Sequence, residues 1–216
     1  MASPAVVFGV STEGRTVAEG VAADAEQAEA LLAAGRQAGS DLVWAHSGAD
    51  LSALGFTRQW GYRRLEGRAR AAGGSASGRP RQEEPDHVVG PLAVEQESAE
   101  LWTEAFRGQW GHKTPRQWPL DLPPGTATLG LRSAGTTIGV CRVEPASGLI
   151  DAPGLVRAHR DAGGYQALLE AALAAARTAS VTVESWGDSP ERVAVCERLG
   201  LTTAEYVPGW QFTLHT

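Results

Sequence analysis

Residues 154–177, GLVRAHRDAGGYQALLEAALAAAR, carry most of the structural information in this chain. The first residues are strand-like, a basic turn with two glycines follows, and the remainder has an apolar stripe at the 3.6-residue period of an α-helix. Alanine and leucine, which are among the strongest helix formers, fill most of the helical positions. The stretch therefore predicts a strand that leads through a glycine turn into a buried helix.

The turn from Arg160 to Gln166 has the composition of an anion-binding helix N-terminus. Gly163 and Gly164 let a ligand approach the backbone closely, and the first N–H groups of a helix have no partner inside it. The positive end of the helix dipole suits pyrophosphate, and Arg160 adds a charged hydrogen-bonding fork. The alternative is a tight turn without a ligand, because short glycine motifs arise readily by chance.

The composition is ordinary for a globular protein and excludes several classes of function. The chain has 216 residues, of which 43% are hydrophobic and 20% charged, and a net charge of −6 argues against nonspecific binding to nucleic acid. It has no secretory signal and no apolar run of about 20 residues, so we expect a cytoplasmic protein without a membrane partner. Lys113 is the only lysine and asparagine is absent, which is typical of GC-rich coding and indicates a bacterial source.

The two cysteines, Cys141 and Cys196, lie far apart and have no zinc-ligand spacing. No pair of histidines has metal-ligand spacing either. We therefore expect two buried, reduced thiols and no metal site.

A segment rich in Gly, Ser, Pro and charge, residues 69–86, predicts a linker between two units. Residues 87–216 predict strand, helix, two strands, strand, helix, strand, helix and two strands, which is a mixed α/β sheet flanked by helices. The last two of these strands are predicted at 202–206 and 209–214. Residues 1–68 predict two strands, a helix capped by Asp24, and then a strand, a short helix and a final strand.

The second unit resembles the GNAT acyltransferase superfamily. The pyrophosphate segment of that family has Arg or Gln, two residues, Gly, one residue, and Gly or Ala. Arg160 and Gly163 match the first two positions, and Tyr165 stands at the third. The order of elements over residues 87–216 and the segment ERLGL at 197–201 are also similar to the family. Two such segments at the right separation are more specific than one.

The first unit resembles the later half of the second. LGFT at residues 54–57 parallels LGLT at residues 199–202, and each follows a helix, a strand and a short helix. The helix entrance of the first unit carries Asp24, whose charge repels pyrophosphate. We therefore predict a GNAT domain at 87–216, preceded by a smaller, truncated and degenerate GNAT-like unit at 1–68.

The resemblance implies transfer of an acyl group, most often acetyl, from acetyl-CoA or another acyl-CoA to the amine of a small molecule. It implies that the pantetheine runs along Leu155 and Val156. It also implies that Ser189 replaces the family's capping asparagine, so that its hydroxyl keeps the helix cap but the contact with the cofactor changes. The implied pyrophosphate site consists of Arg160, Asp161, Ala162, Gly163, Gly164, Tyr165 and Gln166.

The resemblance also suggests catalytic residues. Glu184, on the strand after the cofactor helix, is the predicted general base, with Glu144 and Asp151 as alternatives. Each of these carboxylates also fits a solvated charge on a strand. Cys196 takes the position of the family's thiolate-protonating tyrosine. Its thiol can donate a proton, Tyr206 or water could do so instead, and core packing is the other explanation for Cys196.

Other side chains have two explanations. Trp102, Trp110 and Trp118 are candidates for an acceptor pocket, but core packing explains at least the first two. His159 could contact phosphate or act as a base, and it also fits an ordinary surface histidine.

Two further functions are compatible with the sequence. Tyr165, Cys196 and the reduced first unit favour a non-catalytic GNAT-like binding or assembly module. A transferase that uses aminoacyl-tRNA is the weaker alternative, because the chain is acidic and has no basic stripe. The expected partner is a small-molecule amine, and a homodimer is an assembly to test.

Overall fold

The computed structural model describes residues 5–11, 13–69, 87–93, 96–106, 122–160, 162–187 and 189–214. The strands are β1 (Val6–Val10), β2 (Thr16–Val21), β3 (Leu42–His46), β4 (Thr57–Arg68), β5 (Val88–Pro91), β6 (Ala127–Ser133), β7 (Thr136–Glu144), β8 (Leu149–Asp151), β9 (Gly154–Leu155), β10 (Ser180–Trp186) and β11 (Thr202–Thr213). The helices are α1 (Ala25–Gln37), α2 (Ala99–Phe106), α3 (Ala162–Ala175) and α4 (Pro190–Arg198), with short 3-10 helices at Ser52–Leu54 and Arg157–His159. Within these ranges, no helix has both the length and the apolar character that crossing a membrane requires.

The eleven strands of the described residues form one mixed sheet. Their order is β1-β2-β3-β11-β4-β10-β8-β7-β6-β5, and β9 pairs with β7. The pairs β2–β3 and β8–β10 are parallel, and the remaining pairs are antiparallel. Helix α1 packs on β2 and β3, and α3 packs on β6 and β7. The predicted mixed α/β sheet flanked by helices is confirmed.

The two halves of the chain exchange their last strands. Strand β4 of the first half lies between β10 and β11, and β11 of the second half lies between β3 and β4. Thr57 pairs with Gln211 and Thr202 pairs with Glu66, so the two strands cross the centre of the sheet as an antiparallel pair. The halves therefore share one sheet. Most of the predicted linker at 69–86 lies outside the described residues, and the domain boundaries stay a prediction.

The end of the chain differs from the prediction of two strands. Residues 202–213 form the single strand β11, whose register shifts between Thr203 and Glu205 and again between Val207 and Gly209. The second irregularity contains Pro208, which has no N–H to donate to a sheet. A β-bulge lets a strand pass such a residue without ending.

The first half confirms the predicted helix signals. The Asp24 carboxylate accepts a hydrogen bond from the Gln27 N–H at 2.9 Å, and the Gln27 side chain accepts one from the Ala23 N–H at 3.1 Å. These two hydrogen bonds satisfy the Gln27 N–H, which the helix itself leaves unpaired, and the Ala23 N–H immediately before the N-cap. Gly39, at φ +65°, follows the helix C-terminus as predicted.

The side chains of strand β10 point alternately to two chemically different faces of the sheet. Val181 and Val183 are buried in one hydrophobic core with Leu168 of α3 and Cys196 of α4. Because side chains alternate along a strand, Glu184 points to the opposite face. We call these the α3 face and the α2 face, since Trp102 and Phe106 of α2 pack near Val140 on the second one. The predicted helix at 95–110 is observed at 99–106, and residues 107–121, including Trp110 and Trp118, lie outside the described part.

Candidate functional site

The parallel strands β8 and β10 pair over only three residue pairs and then separate. Asp151 lies beside Glu184 at the last of these pairs, and the Ala152 N–H donates to the Glu184 carbonyl oxygen at 2.8 Å. Beyond this point Gly154 pairs with β7 instead, whereas β10 continues to pair with β4. A gap therefore opens between the two strands immediately beyond two carboxylates.

The backbone of Leu155 faces this gap. Gly154 pairs with Val140 of β7, and the Val156 N–H donates to the Ile138 carbonyl oxygen at 2.9 Å. Because backbone groups alternate in direction along a strand, the N–H and C=O of Leu155 point away from β7. The Leu155 side chain is fully buried on the α3 face. The segment predicted to run beside pantetheine thus borders the gap through the Leu155 backbone, while the Val156 N–H is already used.

Three arginines meet near the start of α3. The Arg160 Nε donates to the Leu155 carbonyl oxygen at 3.1 Å. Burial lowers the pKa of the Arg160 guanidinium, and the charges of Arg192 and Arg157 lower it further, while Glu104 opposes them. The arginine cluster (Arg157, Arg160 and Arg192) therefore places two like charges near the Arg160 guanidinium, and a bound anion would offset them.

The other residues of the predicted pyrophosphate turn follow directly. Ala162 begins α3, and Gly163 and Gly164 form its first turn. The Gln166 side chain donates to Glu170 at 3.0 Å, one turn further along the helix. Asp161 lies outside the described residues. The turn and the arginine cluster thus occupy the same end of α3.

Tyr165 points into the core and not towards the helix entrance. Its side chain is fully buried, its hydroxyl lies 3.7 Å from the Cys196 Sγ, and the Arg192 guanidinium lies over its ring at 5.2 Å. At this position, therefore, only the backbone of Tyr165 is available to a ligand at the helix entrance. Cys196 is fully buried as well, as expected for core packing.

Ser189 occupies the N-cap position of α4, but its hydroxyl makes no capping hydrogen bond. The prediction of a capping hydroxyl is therefore wrong. The hydroxyl instead hydrogen-bonds the Glu191 carboxylate and thereby lowers the pKa of that group. Pro190 at the first helical position starts the helix without needing an N–H partner.

Asp151 and Glu184 form the acidic centre of the site. Loss of hydration raises the pKa of Asp151 above its ordinary value. The Arg142 charge opposes that rise, and the charges of Glu184 and Glu144 add to it. Part of the Asp151 side chain remains accessible to solvent. An accessible carboxyl group with a raised pKa is a stronger base than an ordinary aspartate.

Sequence reasoning missed two residues beside this pair. The Tyr62 hydroxyl donates to the Glu184 Oε1 at 3.1 Å, although the two residues are 122 positions apart. Buried Arg142 lies 3.2 Å from Glu97 and 4.0 Å from the centre of the Trp102 ring. No local motif marks Tyr62, because it reaches the site through the pairing of β4 with β10, two strands that are distant in the sequence. Arg142 lies on β7, which pairs with β8, the strand that carries Asp151.

The remaining predicted residues are dispersed. Tyr206 on β11 is 37% exposed, with the Arg63 guanidinium 4.6 Å from its ring centre, and β4 separates it from β10. Glu144 accepts a hydrogen bond from the Ser147 hydroxyl at 2.9 Å, and His159 is exposed on its 3-10 helix. Trp102 is buried and stacks on Phe106 at 5.7 Å, as a core residue does. Glu184, Cys196 and Tyr206, the three predicted catalytic residues, therefore do not meet at one point.

Asp151→Asn is expected to stabilise the protein more at pH 8 than at pH 4. Because the pKa of Asp151 is raised on folding, the folded protein binds more protons than the unfolded chain above the ordinary aspartate pKa. The free energy of unfolding therefore falls as pH rises through that window, and asparagine removes the loss. Thermal unfolding followed by circular dichroism at both pH values measures the difference.

Asp41→Asn is the matched comparison for that experiment. Hydrogen bonds from the side chain and the N–H of Thr16 lower the pKa of Asp41, so its charged form stabilises the fold and the effect has the opposite sign. An Asp151→Asn effect on the free energy of unfolding that is equal at pH 4 and pH 8 would contradict a raised pKa of Asp151 in the folded protein.

Among the described residues, no group of three or more His, Cys, Asp or Glu side chains is arranged to hold a metal ion.

No protein-family model and no curated protein sequence matches the chain. Solved structures do. A GCN5-related N-acetyltransferase from Anabaena variabilis is 9% identical with a TM-score of 0.57, over 98% of this chain and 59% of that protein. A GCN5-related N-acetyltransferase-like protein from Streptococcus suis is 11% identical with a TM-score of 0.54, over 97% of this chain and 84% of that protein. A tandem GNAT protein of the clavulanic acid biosynthesis pathway is 14% identical with a TM-score of 0.51, over 99% of this chain and 80% of that protein.

These neighbours share the mixed sheet and flanking helices over nearly the whole of this chain. The chain spans less than two thirds of the Anabaena protein. Identities of this size carry information on architecture and none on substrate. The strand order, the gap between β8 and β10, and these neighbours together assign to this chain the fold of the GNAT N-acetyltransferases.

Proposed function

We propose that this chain transfers an acyl group, most simply acetyl, from acyl-CoA to the amine of a small molecule. The observation that carries the proposal is the gap between β8 and β10, which has Asp151 and Glu184 at the point of separation. The arginine cluster and the start of α3 supply cationic and N–H groups for an anionic ligand. The structural neighbours named as N-acetyltransferases support the same reaction class.

The chain's own groups would bind and orient the thioester substrate. Acyl-CoA supplies the activated acyl group. The arginine cluster and the first N–H groups of α3 would hold its diphosphate, and the Leu155 N–H faces the gap as a hydrogen-bond donor. Such positioning is the larger part of catalysis in an acyl transfer between two bound molecules.

The acidic centre would prepare the acceptor. An amine attacks a carbonyl carbon only after its ammonium form has lost a proton. Glu184 is the proposed base, and Asp151 on the neighbouring strand is the alternative, favoured by its raised pKa. The proton passes from the ammonium nitrogen to a carboxylate oxygen.

A binding module without catalysis is the second candidate. Two observations favour it. Cys196 is buried against the Tyr165 hydroxyl, and β4 separates Tyr206 from β10. Neither side chain predicted to protonate the leaving group therefore lies beside Glu184. A thiolate leaving group can also be protonated by water, so this observation does not exclude the reaction.

Two measurements on the unmodified chain separate the candidates. Isothermal titration calorimetry with acetyl-CoA is expected to show binding in the micromolar range. Release of the CoA thiol is then followed with a panel of primary amines. Binding with amine-dependent release supports the transferase. Binding without release for any amine, or no binding of acetyl-CoA at all, rejects the transferase and supports the module.

A further inference from the structure

The first half of the chain reaches into the acidic centre through Tyr62. Strand β4 lies beside β10, where Arg64 pairs with Glu184 and Tyr62 pairs with Trp186. From this position the half-buried Tyr62 donates its hydroxyl hydrogen to the Glu184 Oε1 at 3.1 Å. The contact exists only because the last strand of the first half is inserted into the sheet of the second.

A line of ring contacts holds Tyr62 in place. Its ring centre lies 4.8 Å from that of Trp186, and Trp186 meets the His46 ring edge-on at 4.9 Å. The His46 Nε2 lies 2.8 Å from the Glu19 Oε1, and both side chains are largely buried. Tyr62 is therefore fixed from β2 and β3 of the first half, and its hydroxyl has little freedom to leave Glu184.

We propose that Tyr62 is a positioning residue, which holds the Oε1 of Glu184 so that the Oε2 is presented to the ammonium of the acceptor amine. The Oε2 has no hydrogen bond within the described part of the chain. The inference rests on the proposed function, and it assigns a role to the first half: β4 supplies the hydrogen bond that orients the base. A carboxylate fixed at one oxygen loses less rotational freedom when it accepts a proton at the other.

Burial and the neighbouring carboxylates keep the Tyr62 hydroxyl protonated, so that it acts as a hydrogen-bond donor. Burial raises the pKa of Tyr62 to about 12, and the hydrogen bond and charge of Glu184 act in the same direction. Glu205 adds to the rise, and Arg64 opposes it. The hydroxyl therefore keeps its proton throughout the range in which an amine acceptor would be used.

The kinetic test is Tyr62→Phe, which removes one oxygen and keeps the ring on Trp186. We expect kcat to fall about 10-fold or more, as for loss of a hydrogen bond to a charged group, with unchanged affinity for acetyl-CoA. Trp60→Phe, on the same strand and 49% exposed, is the matched control and should leave both unchanged. Equal kcat for Tyr62→Phe and the unmodified chain would overturn the inference while leaving the transferase intact.

A second measurement does not depend on turnover. Carbon-13 NMR of tyrosine-labelled protein follows the titration of Tyr62, assigned by its disappearance in Tyr62→Phe. In Glu184→Gln the pKa of Tyr62 should fall, because the carboxylate charge that helps to raise it is gone. An unchanged titration overturns the contact itself. A shifted titration in a chain that transfers no acyl group supports the contact and rejects the function.

Discussion

Arg160→Glu is expected to weaken acetyl-CoA binding by about 100-fold or more. The substitution removes a cation from the arginine cluster and places an anion at the start of α3, where the helix dipole and the phosphates would meet. Arg157 and Arg192 remain, but they would now be paired with glutamate and no longer with the ligand. Isothermal titration calorimetry at low ionic strength measures the change, because salt screens exposed charges.

Arg177→Glu is the matched control. It makes the same change of charge on an exposed side chain just beyond the C-terminal end of α3. It should leave the affinity unchanged. Arg160 also donates to the Leu155 carbonyl oxygen, so thermal unfolding of both variants must show that the fold persists. An unaltered dissociation constant in folded Arg160→Glu would show that the diphosphate does not bind at this turn, and it would contradict the proposed cofactor site.

Glu184→Gln is expected to lower kcat by about 100- to 10,000-fold with little change in acetyl-CoA affinity. Glutamine has nearly the same shape and still accepts the Tyr62 hydroxyl, but it cannot take the proton of an ammonium group. The substitution therefore lowers kcat and leaves the affinity for the thioester unchanged. Steady-state kinetics with a reactive amine, together with calorimetry, separate the two effects.

The neighbouring carboxylates complete this experiment. Glu66→Gln changes an exposed carboxylate that pairs with Arg64 on β4, and it should leave kcat unchanged. Asp151→Asn should lower kcat less than Glu184→Gln if Glu184 is the base. The reverse order would transfer the role to Asp151, whose raised pKa fits it for proton acceptance.

Local signals in the sequence were sufficient for the helices and for the general architecture. Helix α1 follows from the capping side chains Asp24 and Gln27 and from Gly39, and all three act within one turn of the helix ends. The glycine turn and the apolar stripe of α3 are equally local, and the resemblance that they carry led to the observed fold. Composition and periodicity identify such elements because each depends on residues within a few positions of one another.

Such local signals in the sequence could not predict the pairing between distant strands. The insertion of β4 between β10 and β11 depends on how whole sheet edges match, and no short segment encodes it. The predicted break near Pro208 is a bulge because two neighbouring strands hold β11 on either side of it. The direction of the Tyr165 side chain likewise follows from the core formed by α3 and α4.

The sequence by itself therefore determined the helices, most of the strands and their order, the basic glycine turn and the acidic strand residues, since periodicity, capping and turn chemistry act over a few positions. Only the tertiary structure brought Tyr62 to Glu184, set Asp151 beside it, and enclosed Cys196. Those contacts join residues far apart in the chain, and they form when the two halves bury their apolar surfaces in one common sheet.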